Sequence, residues 1–574
     1  MKPSGEAFPS EVIYQIYPSS FNDSNADGLG DIPGITKKLD YIKSLGVDAI
    51  WISPFYLSPP GPEGDGGYAV TDYRSIDPRF GTMDDFKELL KEAHARGLRV
   101  YTDWVIAHTA HDHEWFEKSQ KKDEKYKDYY VWADAKVWEG KRVPPNNWKS
   151  VFGGDAWTYD EKRGQYFLHH FLSSQPALNL NKKEVQDAVL EEMKFWLDAG
   201  VDGFRIDAIP FSNYDPQLRD NPWRYGTWPN VDERFDQQRH DHDILQPQTI
   251  DFIKRVRQLM DSYPQKKTTL GEVTETRNDG GSVLPIAASY SDRENGLDMC
   301  YTFVANLISQ QTGVEKLGDL VRDLQKNFPQ GGHCLSISNH DSARTLARIA
   351  KEVPEPQRFA AHKQLMQLFF TLPSSIVLYQ GEELGLPQAR IPEDIPRDKL
   401  KDVHAQTKGM YACRDGSRTP IPWEAGKKNA GFSPAEEPYL PVPSSHYQKA
   451  IDVQEKDPDS MLSFMRNLVN WRKNQPALVG GTSQPLKTEP PVLAFLRRTQ
   501  EQAILCVFNL SGQRASFRPS DILDAKTLQE LGLQGQQSVV LEAYGSRFAG
   551  EKVKSPEIAP PGPPANKGPI IKAA

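Results

Sequence analysis

The sequence predicts an α/β fold in which eight parallel strands alternate with helices and close into a (β/α)8, or TIM, barrel. Two observations predict it. Short, β-branched apolar runs recur about eight times along the chain, and amphipathic helical stretches lie between them. The strands of a parallel sheet are buried on both faces and therefore form continuous apolar runs. Eight strand–helix repeats make up a TIM barrel.

Each repeat can be placed on the sequence. We expect the eight strands at residues 12–18, 48–54, 98–106, 201–209, 268–273, 297–303, 334–341 and 374–381. Helical patterns separate them, such as "MDDFKELLKEAHARG" and "EVQDAVLEEMKFWLDAG". Both of these end in a glycine, which is typical of a helix C-terminus.

Three stretches do not fit the repeat and define further domains. Residues 107–175 are too long for a strand–helix loop and are rich in Trp, Tyr, Lys and Asp, so we expect a small inserted domain after the third strand. It divides the barrel into residues 1–106 and 176–474. Residues 475–549 have an antiparallel pattern and predict a C-terminal β-sandwich. The Pro- and Lys-rich residues 550–574 predict a flexible tail.

Composition limits the partners and the compartment. The 574 residues are 38% hydrophobic, and the net charge of -8 is mild for this length, which argues against nucleic acid or an anionic membrane as a partner. The four cysteines form no CxxC pair, which indicates a reducing compartment. There is no apolar stretch of a signal peptide or membrane helix. We expect a soluble, cytoplasmic protein, either a monomer or a homodimer.

The segment "DSNADGLGD" (23–31) has oxygen-bearing side chains at alternate positions and Gly28 at the turn. This matches the opening of an EF-hand calcium loop, but position twelve is Gly34, where an EF-hand needs a bidentate Glu. The flanking sequence does not predict a helix pair either. We therefore expect a cation loop of another fold, the alternative being a merely solvated loop.

Ionisable residues collect where the predicted strands end. In a barrel of this kind the carboxyl ends of the strands carry the active site. The residues found there are Asp103 and His108 on strand three, Arg205 and Asp207 on strand four, Glu272 on strand five, and His340 and Asp341 on strand seven. Burying Asp207 in an apolar strand is costly unless it is paired, and Arg205 is expected to hold it ionised. Two carboxylates, one ionised and one with a raised pKa, are what cleavage of a glycosidic bond requires.

Several motifs resemble glycoside hydrolase family 13, the α-amylase family. They are "DWVIAH", "GVDGFRIDAI", "LGEV" and "SNHDSAR", with "QPALN" resembling the QPDLN segment of the oligo-1,6-glucosidase branch. The resemblance spans roughly residues 12–423. It implies a structural Ca²⁺ or Mg²⁺ on the first strand–helix loop, bound through Asp23, Asn25, Asp27, the Leu29 carbonyl and Asp31.

The resemblance also implies a role for each strand-end residue. Asp207 resembles the nucleophile of a retaining glycosidase, Glu272 the acid and base, and Asp341 the third carboxylate, which binds sugar hydroxyls. His108 and His340 resemble residues that bind the same sugar, and Asp103 resembles a supporting group. A retaining mechanism places the carboxyl groups of Asp207 and Glu272 about 5 Å apart. For the histidines and Asp103 the alternative is a purely structural role.

Further positions bear on the substrate. Asp65 and Tyr68 match pocket residues of the branch, and Asp65 paired with Arg414 or Arg418 would close the pocket behind a non-reducing glucose, which makes the enzyme exo-acting. A plain surface arginine is the alternative for either. The residue after the nucleophile is Ala208, where relatives with α-1,6 preference tend to have Val. An α-1,4-acting α-glucosidase for small α-glucosides, with possible transglucosylation, is therefore expected.

Three positions depart from the family pattern, all to alanine: Ala69, Ala107 and Ala177. We hypothesise that they form one cluster exchanged from polar to apolar, the alternative being three unrelated changes. Losing one polar member alone would cost about 1–3 kcal/mol. The departures put in doubt a calcium site that α-amylases build with the Asn before the histidine.

Two other readings of the resemblance stay open. One is an isomerase of the same family that makes trehalose, or isomaltulose from sucrose, although the RLDRF-type loop associated with sucrose isomerases is absent. The other is a non-catalytic relative of the transporter heavy-chain type. Those relatives lack the full carboxylate set, which is intact in this sequence.

Overall fold

A computed structural model describes residues 10–224, 235–274, 282–292, 294–304, 314–329, 331–391, 400–403, 405 and 413–550. The predicted tail, apart from residue 550, lies outside these residues. The fold is the predicted closed barrel of eight parallel strands surrounded by helices. We number the barrel strands β1 (Val12–Ile16), β2 (Ala49–Ile52), β3 (Arg99–Val105), β4 (Gly203–Asp207), β5 (Thr268–Glu272), β6 (Met299–Thr302), β7 (His333–Ser336) and β8 (Ser375–Tyr379).

Neighbouring barrel strands follow chain order, and β8 pairs with β1 to close the ring. All eight predicted strands are confirmed, with two differences at their ends. β7 ends at Ser336, so His340 and Asp341 lie in the following loop. β4 ends at Asp207 because Ala208 adopts a left-handed conformation with φ 43°.

The longer helices begin and end at recognisable signals. Met83–Ala95 starts at a capping box between Thr82 and Asp85, and Lys183–Ala199 ends at Gly200, whose φ is 110°. The other barrel-side helices are Ile32–Lys37, Leu39–Ser44, Gln248–Asp261, Leu284–Tyr290, Val314–Asn327, Thr345–Ala350, Arg358–Thr371, Ser444–Tyr447, Ile451–Gln454, Met461–Lys473 and Pro476–Gly480. Their apolar faces pack on the outside of the barrel.

The stretch after β3 contains one helix, Glu114–Gln120, and two small antiparallel sheets. One sheet has the strands Trp132–Ala133, Gln165–Leu168 and Trp157–Asp160, and the other is a hairpin of Lys136–Trp138 and Lys141–Val143. A further two-stranded sheet of Tyr56–Leu57 and Asp72–Ile76 follows β2. These elements cover the carboxyl end of the barrel, and the exact domain limits stay predictions.

The C-terminal part is antiparallel, as predicted. Its main sheet has the strand order Thr482–Leu486, Val492–Arg498, Ala503–Asn509 and Ser546–Ala549. One face packs on the barrel helices, where Phe548 contacts Trp471. The other face is covered by a two-stranded sheet, Ala515–Phe517 with Val539–Leu541, and by the helices Pro519–Ile522 and Ala525–Glu530.

Aromatic and aliphatic side chains fill the inside of the barrel. Trp51, Tyr101, Leu270, Tyr301 and Val377 point inward from five different strands and form one buried cluster. This plug supports the polar residues above it at the carboxyl ends of the strands. Among the described residues, no helix has the length and apolarity that crossing a membrane requires.

Candidate active site

The barrel register places the acidic side chains together. Arg205 on β4 lies opposite Asp103 on β3, and Glu272 is the last residue of the neighbouring β5. Asp207, two residues after Arg205, points to the same side because side chains alternate along a strand. All four side chains are nearly inaccessible to solvent. The structure thus brings these four residues together at the carboxyl ends of the strands.

One guanidinium group binds all three carboxylates. Arg205 Nη1 donates to Asp207 Oδ1 at 2.5 Å and to Asp103 Oδ1 at 2.9 Å, while its Nη2 lies 2.6 Å from Glu272 Oε1. Because two terminal nitrogens of a single guanidinium bind Asp207 and Glu272, these two carboxylates lie on the same side of the cavity and close together. The predicted 5 Å separation stays a prediction.

Burial dominates the acidity of this cluster. It raises the pKa of Asp207 to about 7 and that of Glu272 to about 8, against the opposing charge of Arg205. Burial also raises the pKa of Asp103 to about 6. Arg205 was expected to hold Asp207 ionised without difficulty, but its single charge is divided among three carboxylates, so the group carries fewer than three negative charges at neutral pH.

The turn after β4 adds a contact to Glu272. The left-handed conformation of Ala208 aims its backbone N–H at Glu272 Oε2, at 3.0 Å. One oxygen of Glu272 therefore binds Arg205 and the other binds Ala208. A carboxyl group held on both sides has a fixed orientation, which a group that transfers a proton requires.

Asp341 is held by two arginines. Arg414 Nη1 donates to Asp341 Oδ1 at 2.6 Å, and Arg418 Nη2 donates to the same oxygen at 3.1 Å. Burial alone would raise the pKa of Asp341, but His340, Arg414 and Arg418 together lower it well below its usual range. Asp341 therefore stays ionised at neutral pH, whereas Asp207 and Glu272 titrate close to it.

Arg414 also reaches Asp65, which lines the same cavity. Its Nη2 lies 3.4 Å from Asp65 Oδ1, and Gln175 Nε2 lies 3.4 Å from Asp65 Oδ2. Asp65 lies between Gly64 and Gly66 and has a left-handed backbone, with a φ of 44°. Of the two candidate arginines, Arg414 forms the pair with Asp65, while Arg418 donates from Nε to the backbone carbonyl of His340 at 2.8 Å.

His340 is fixed on all sides. Its ring stacks on Tyr68 at a centroid distance of 5.5 Å and on Tyr17 at 5.8 Å. Its Nε2 lies 2.8 Å from the Tyr68 hydroxyl, and its Nδ1 lies 2.8 Å from Gln15 Nε2. Burial lowers the pKa of His340 to about 3, so the ring is neutral at neutral pH. The Tyr68 hydroxyl in turn donates to Asp103 Oδ2 at 3.0 Å.

His108 lies on the opposite wall. Its Nε2 is 2.9 Å from the Tyr68 backbone carbonyl, and because a carbonyl only accepts, Nε2 carries the proton. The buried Nδ1 has no hydrogen-bond partner among the described residues. Burial lowers the pKa of His108 to about 4. His108 belongs to the lining of the cavity, although its Nδ1 is buried.

A cavity of about 280 Å³ joins these groups. Its polar lining consists of Asp65, Tyr68, His108, Asp207, Glu272, Thr274, Asp341 and Arg414. The rest of its lining is apolar and consists of Val151, Phe152, Phe171, Ala208, Phe211 and Phe303. Asp103, Arg205, His340 and Arg418 were predicted to bind substrate but lie behind the cavity wall, where they contact residues that line it.

The predicted metal loop lies apart from this cavity, and its oxygens have other partners. Asp23 accepts backbone N–H bonds from Asn25, Ala26 and Gly28, and the Ser433 hydroxyl at 2.5 Å. Asp27 accepts the Leu29 N–H at 2.8 Å.

Asp31 caps the helix that follows the loop, where it accepts the Gly34 N–H. Burial raises its pKa, and within the described residues no Lys or Arg forms an ion pair with Asp23, Asp27 or Asp31. This oxygen set suits a hard cation in its chemistry. As placed, however, no three acidic, His or Cys side chains of the described residues converge on one point. The cation therefore stays a prediction.

Two of the three alanines, Ala107 and Ala177, lie on adjacent backbone. The Leu178 N–H donates to the Ala107 carbonyl, which brings the segment of Ala177 alongside. The side chain of Ala107 packs with Ala208 and Phe211, whereas that of Ala177 belongs to another apolar cluster. The hypothesis that all three positions form one exchanged cluster stays a prediction.

Some site residues were not predicted from the sequence. The aromatic residues Phe152, Phe171 and Phe211 form consecutive ring contacts, at 6.0 and 4.9 Å, along the apolar wall. Gln15 is the one polar residue within the apolar β1, and that pattern could have indicated it. The aromatic wall had no such signal, because Phe152 and Phe171 lie in an inserted domain rich in aromatic residues and Phe211 lies in the turn after β4.

Comparisons with known proteins agree with this geometry. Residues 15–481 match the family described as alpha amylase, catalytic domain. A probable alpha-glucosidase from Rhizobium meliloti is 40% identical and the alignment covers 96% of this chain and 98% of the relative. An oligo-1,6-glucosidase from Parageobacillus thermoglucosidasius is 34% identical, with 91% and 93% covered.

Solved structures give the same result. The structure of an alpha-glucosyl transfer enzyme is 41% identical, has a TM-score of 0.83, and the match covers 94% of this chain and 99% of that one. An isomaltulose synthase from Erwinia rhapontici is 30% identical with a TM-score of 0.79, with 94% and 98% covered. Family match, near full-length relatives and barrel agree: the chain belongs to the α-amylase family of glycoside hydrolases and is an enzyme of that class.

Proposed function

We propose that the protein is a retaining, exo-acting α-glucosidase that releases the terminal α-glucose of short oligosaccharides or glucosides and can transfer it to a second acceptor. The observation that carries this proposal is the cavity itself. The ion pair of Asp65 and Arg414 lines it together with Asp207 and Glu272, and we infer that this pair closes its inner end. Such a cavity suits one terminal sugar better than the middle of a chain.

The geometry supports a double displacement. Asp207 attacks the anomeric carbon on the face opposite the leaving oxygen as the glycosidic bond breaks. This forms a covalent glucosyl ester on Asp207. Glu272, protonated because burial raises its pKa, gives its proton to the leaving oxygen and then takes a proton from the acceptor. Asp341 and His108, which both line the cavity, bind sugar hydroxyls. After the aglycone leaves, water attacks the anomeric carbon, the ester bond to Asp207 breaks, and glucose is released.

Methyl α-maltoside tests both the mode and the stereochemistry, because exo-cleavage releases one reducing sugar only. We expect NMR of the first minutes to show α-glucose ahead of its mutarotation to the β form. Early β-glucose would contradict a retaining mechanism, and methyl α-glucoside without free glucose would show transfer alone. Glu272→Gln, which keeps the shape of the acid, is the matched inactive control.

Transfer is favoured by the apolar wall. Phe152, Phe171 and Phe211 leave little polar surface to hold a water molecule beside Glu272. We therefore propose that sugars compete with water as acceptors at high maltose concentration, which chromatography of the products would show. Phe152→Asn should increase the share of hydrolysis. If maltose were instead rearranged into another disaccharide without release of glucose, the isomerase alternative would hold.

We further propose that the substrates are small α-glucosides, that nucleic acid and membranes are not partners, and that the protein is a cytoplasmic monomer or homodimer. The mild net charge of -8 supports the first exclusions. Light scattering of the purified protein tests the oligomeric state, and cell fractionation tests the location. A membrane-bound fraction would contradict the proposal.

A further inference from the structure

Asp402 is a fully buried carboxylate outside the cavity, and it holds Arg414. Arg414 Nε donates to Asp402 Oδ1 at 2.8 Å, and Nη2 lies 2.7 Å from the same oxygen. The backbone N–H of Arg414 donates to the other oxygen, Oδ2, at 2.5 Å. Three contacts thus fix Arg414 at both its backbone and its guanidinium.

The opposite edge of the same guanidinium faces the cavity. Nη1 donates to Asp341, and Nη2 also approaches Asp65. Arg414 is therefore shared between two carboxylates that line the cavity and one that does not. An arginine side chain has many rotamers, and holding it in one geometry costs entropy. A partner outside the cavity fixes the side chain before a ligand binds, so this entropy is not lost on binding.

We infer that Asp402 is a positioning residue, which aims the Nη1 edge of Arg414 at Asp341 and its Nη2 at Asp65 and so fixes the closed end of the glucose site. This rests on the proposed function only for the identity of the ligand. The segment of Asp402 is itself held by a neighbour of Arg414, since the backbone N–H groups of Lys401 and Asp402 donate to Asp415 Oδ2. Residues 400–403 and 413–415 thus support one another.

The test is a cycle of Asp402→Asn, Arg414→Lys and the double variant. Asn keeps the shape of the side chain but not its charge, and Lys lacks the forked edge that Asp402 binds. A misplacement of about 1 Å costs ~10²-fold in rate, so we expect Asp402→Asn to lower kcat/KM for methyl α-maltoside by about 10- to 100-fold. Glucose affinity, measured by calorimetry, should fall with it. The double variant should lose no more than Arg414→Lys alone.

Asp298→Asn is the matched control. Asp298 is a buried aspartate that accepts from Arg257 at 2.8 Å, but it lies at the amino end of β6, away from the site. It should lower the melting temperature and leave kcat/KM and glucose affinity unchanged. Additive losses in the Asp402 and Arg414 cycle, or unchanged glucose affinity in Asp402→Asn, would overturn the inference. A wild-type protein that binds glucose but cleaves no α-glucoside would refute the proposed function and leave this inference testable by calorimetry.

Discussion

Arg205 Nη1 lies 2.5 Å from Asp207 Oδ1, yet the pKa of Asp207 is raised. Burial is the main reason, and the charge of Asp103, which the same guanidinium binds together with Glu272, adds to it. A buried cation shared among three carboxylates cannot ionise them all, so protons remain in the cluster near neutral pH. The acid and the nucleophile thereby depend on one side chain.

Asp207→Ala should abolish turnover with the fold intact, because the attacking oxygen is lost. We expect kcat to fall by more than about 10³-fold. Azide added to this variant with an aryl α-glucoside should yield the β-glucosyl azide, since azide enters on the face that Asp207 occupied. Product NMR measures this. Near-normal hydrolysis by the variant would mean that another residue is the nucleophile.

The pH dependence of kcat/KM should be bell-shaped and displaced upward. Below the pKa of Asp207, about 7, the nucleophile is protonated; above the pKa of Glu272, about 8, the acid has lost its proton. The two limbs belong to the coupled cluster rather than to single residues. Initial rates from about pH 4 to about pH 10 measure them. An acidic limb near the ordinary carboxyl pKa would contradict the raised values.

Glu272→Gln should stabilise the protein at neutral pH. A carboxyl group whose pKa is raised by folding favours the folded state at low pH, and this contribution is lost as pH rises from about 4.5 to about 8. The cost at neutral pH is on the order of 3 kcal/mol at about 1.4 kcal/mol per pKa unit. Melting temperatures compared at about pH 5 and about pH 7 should show the stabilisation mainly at the higher pH. A lower melting temperature at both would mean that the ion pair with Arg205 dominates.

A divalent cation should raise the melting temperature if the 23–31 loop binds it. Binding to the folded state alone stabilises by about 2.7 kcal/mol at a hundredfold excess over Kd. Asp27 is exposed and serves as the matched test, because Asp27→Ala removes a predicted ligand without opening the core. We expect the variant to lose the response to Ca²⁺ and Mg²⁺. An equal response in both proteins would place the cation elsewhere.

Ala208→Val should shift the preference from α-1,4 toward α-1,6 bonds. Ala208 lines the cavity beside Glu272, and its φ of 43° is unfavourable for a β-branched residue. We expect a higher ratio of isomaltose to maltose cleavage together with a lower melting temperature. Ala208→Gly, which tolerates the left-handed turn, is the control for the backbone effect. An unchanged ratio would show that the residue at position 208 does not determine the preferred bond.

The strand pattern could predict the barrel because buried parallel strands leave a periodic apolar signal. It also placed Asp207 and Glu272, since side chains at strand ends follow the register. It failed beyond β7, where the Asn339 side chain accepts the Asp341 N–H at 2.9 Å and builds a turn in place of the predicted strand. Turn formation of this kind depends on side-chain contacts that apolar periodicity does not carry.

Partners from distant segments could not be predicted either. Arg414 binds both Asp402 and the distant Asp341, but nothing in the sequence around Arg414 indicates Asp341 as its partner. Likewise, Ala107 and Ala177 are on adjacent backbone and still pack into different clusters, because the direction of a side chain depends on the local turn. Contacts between loops are set by the tertiary structure, which a single sequence does not reveal.

The closed end that we propose, formed by Asp65 and Arg414, has a consequence for long substrates. A chain cannot slide through a site that has no exit, so after each cleavage the shortened chain must leave before its new terminus can enter. The rate on a polymer then follows the number of its non-reducing ends and not its mass. A highly branched glucan would be consumed faster than a linear one of equal weight.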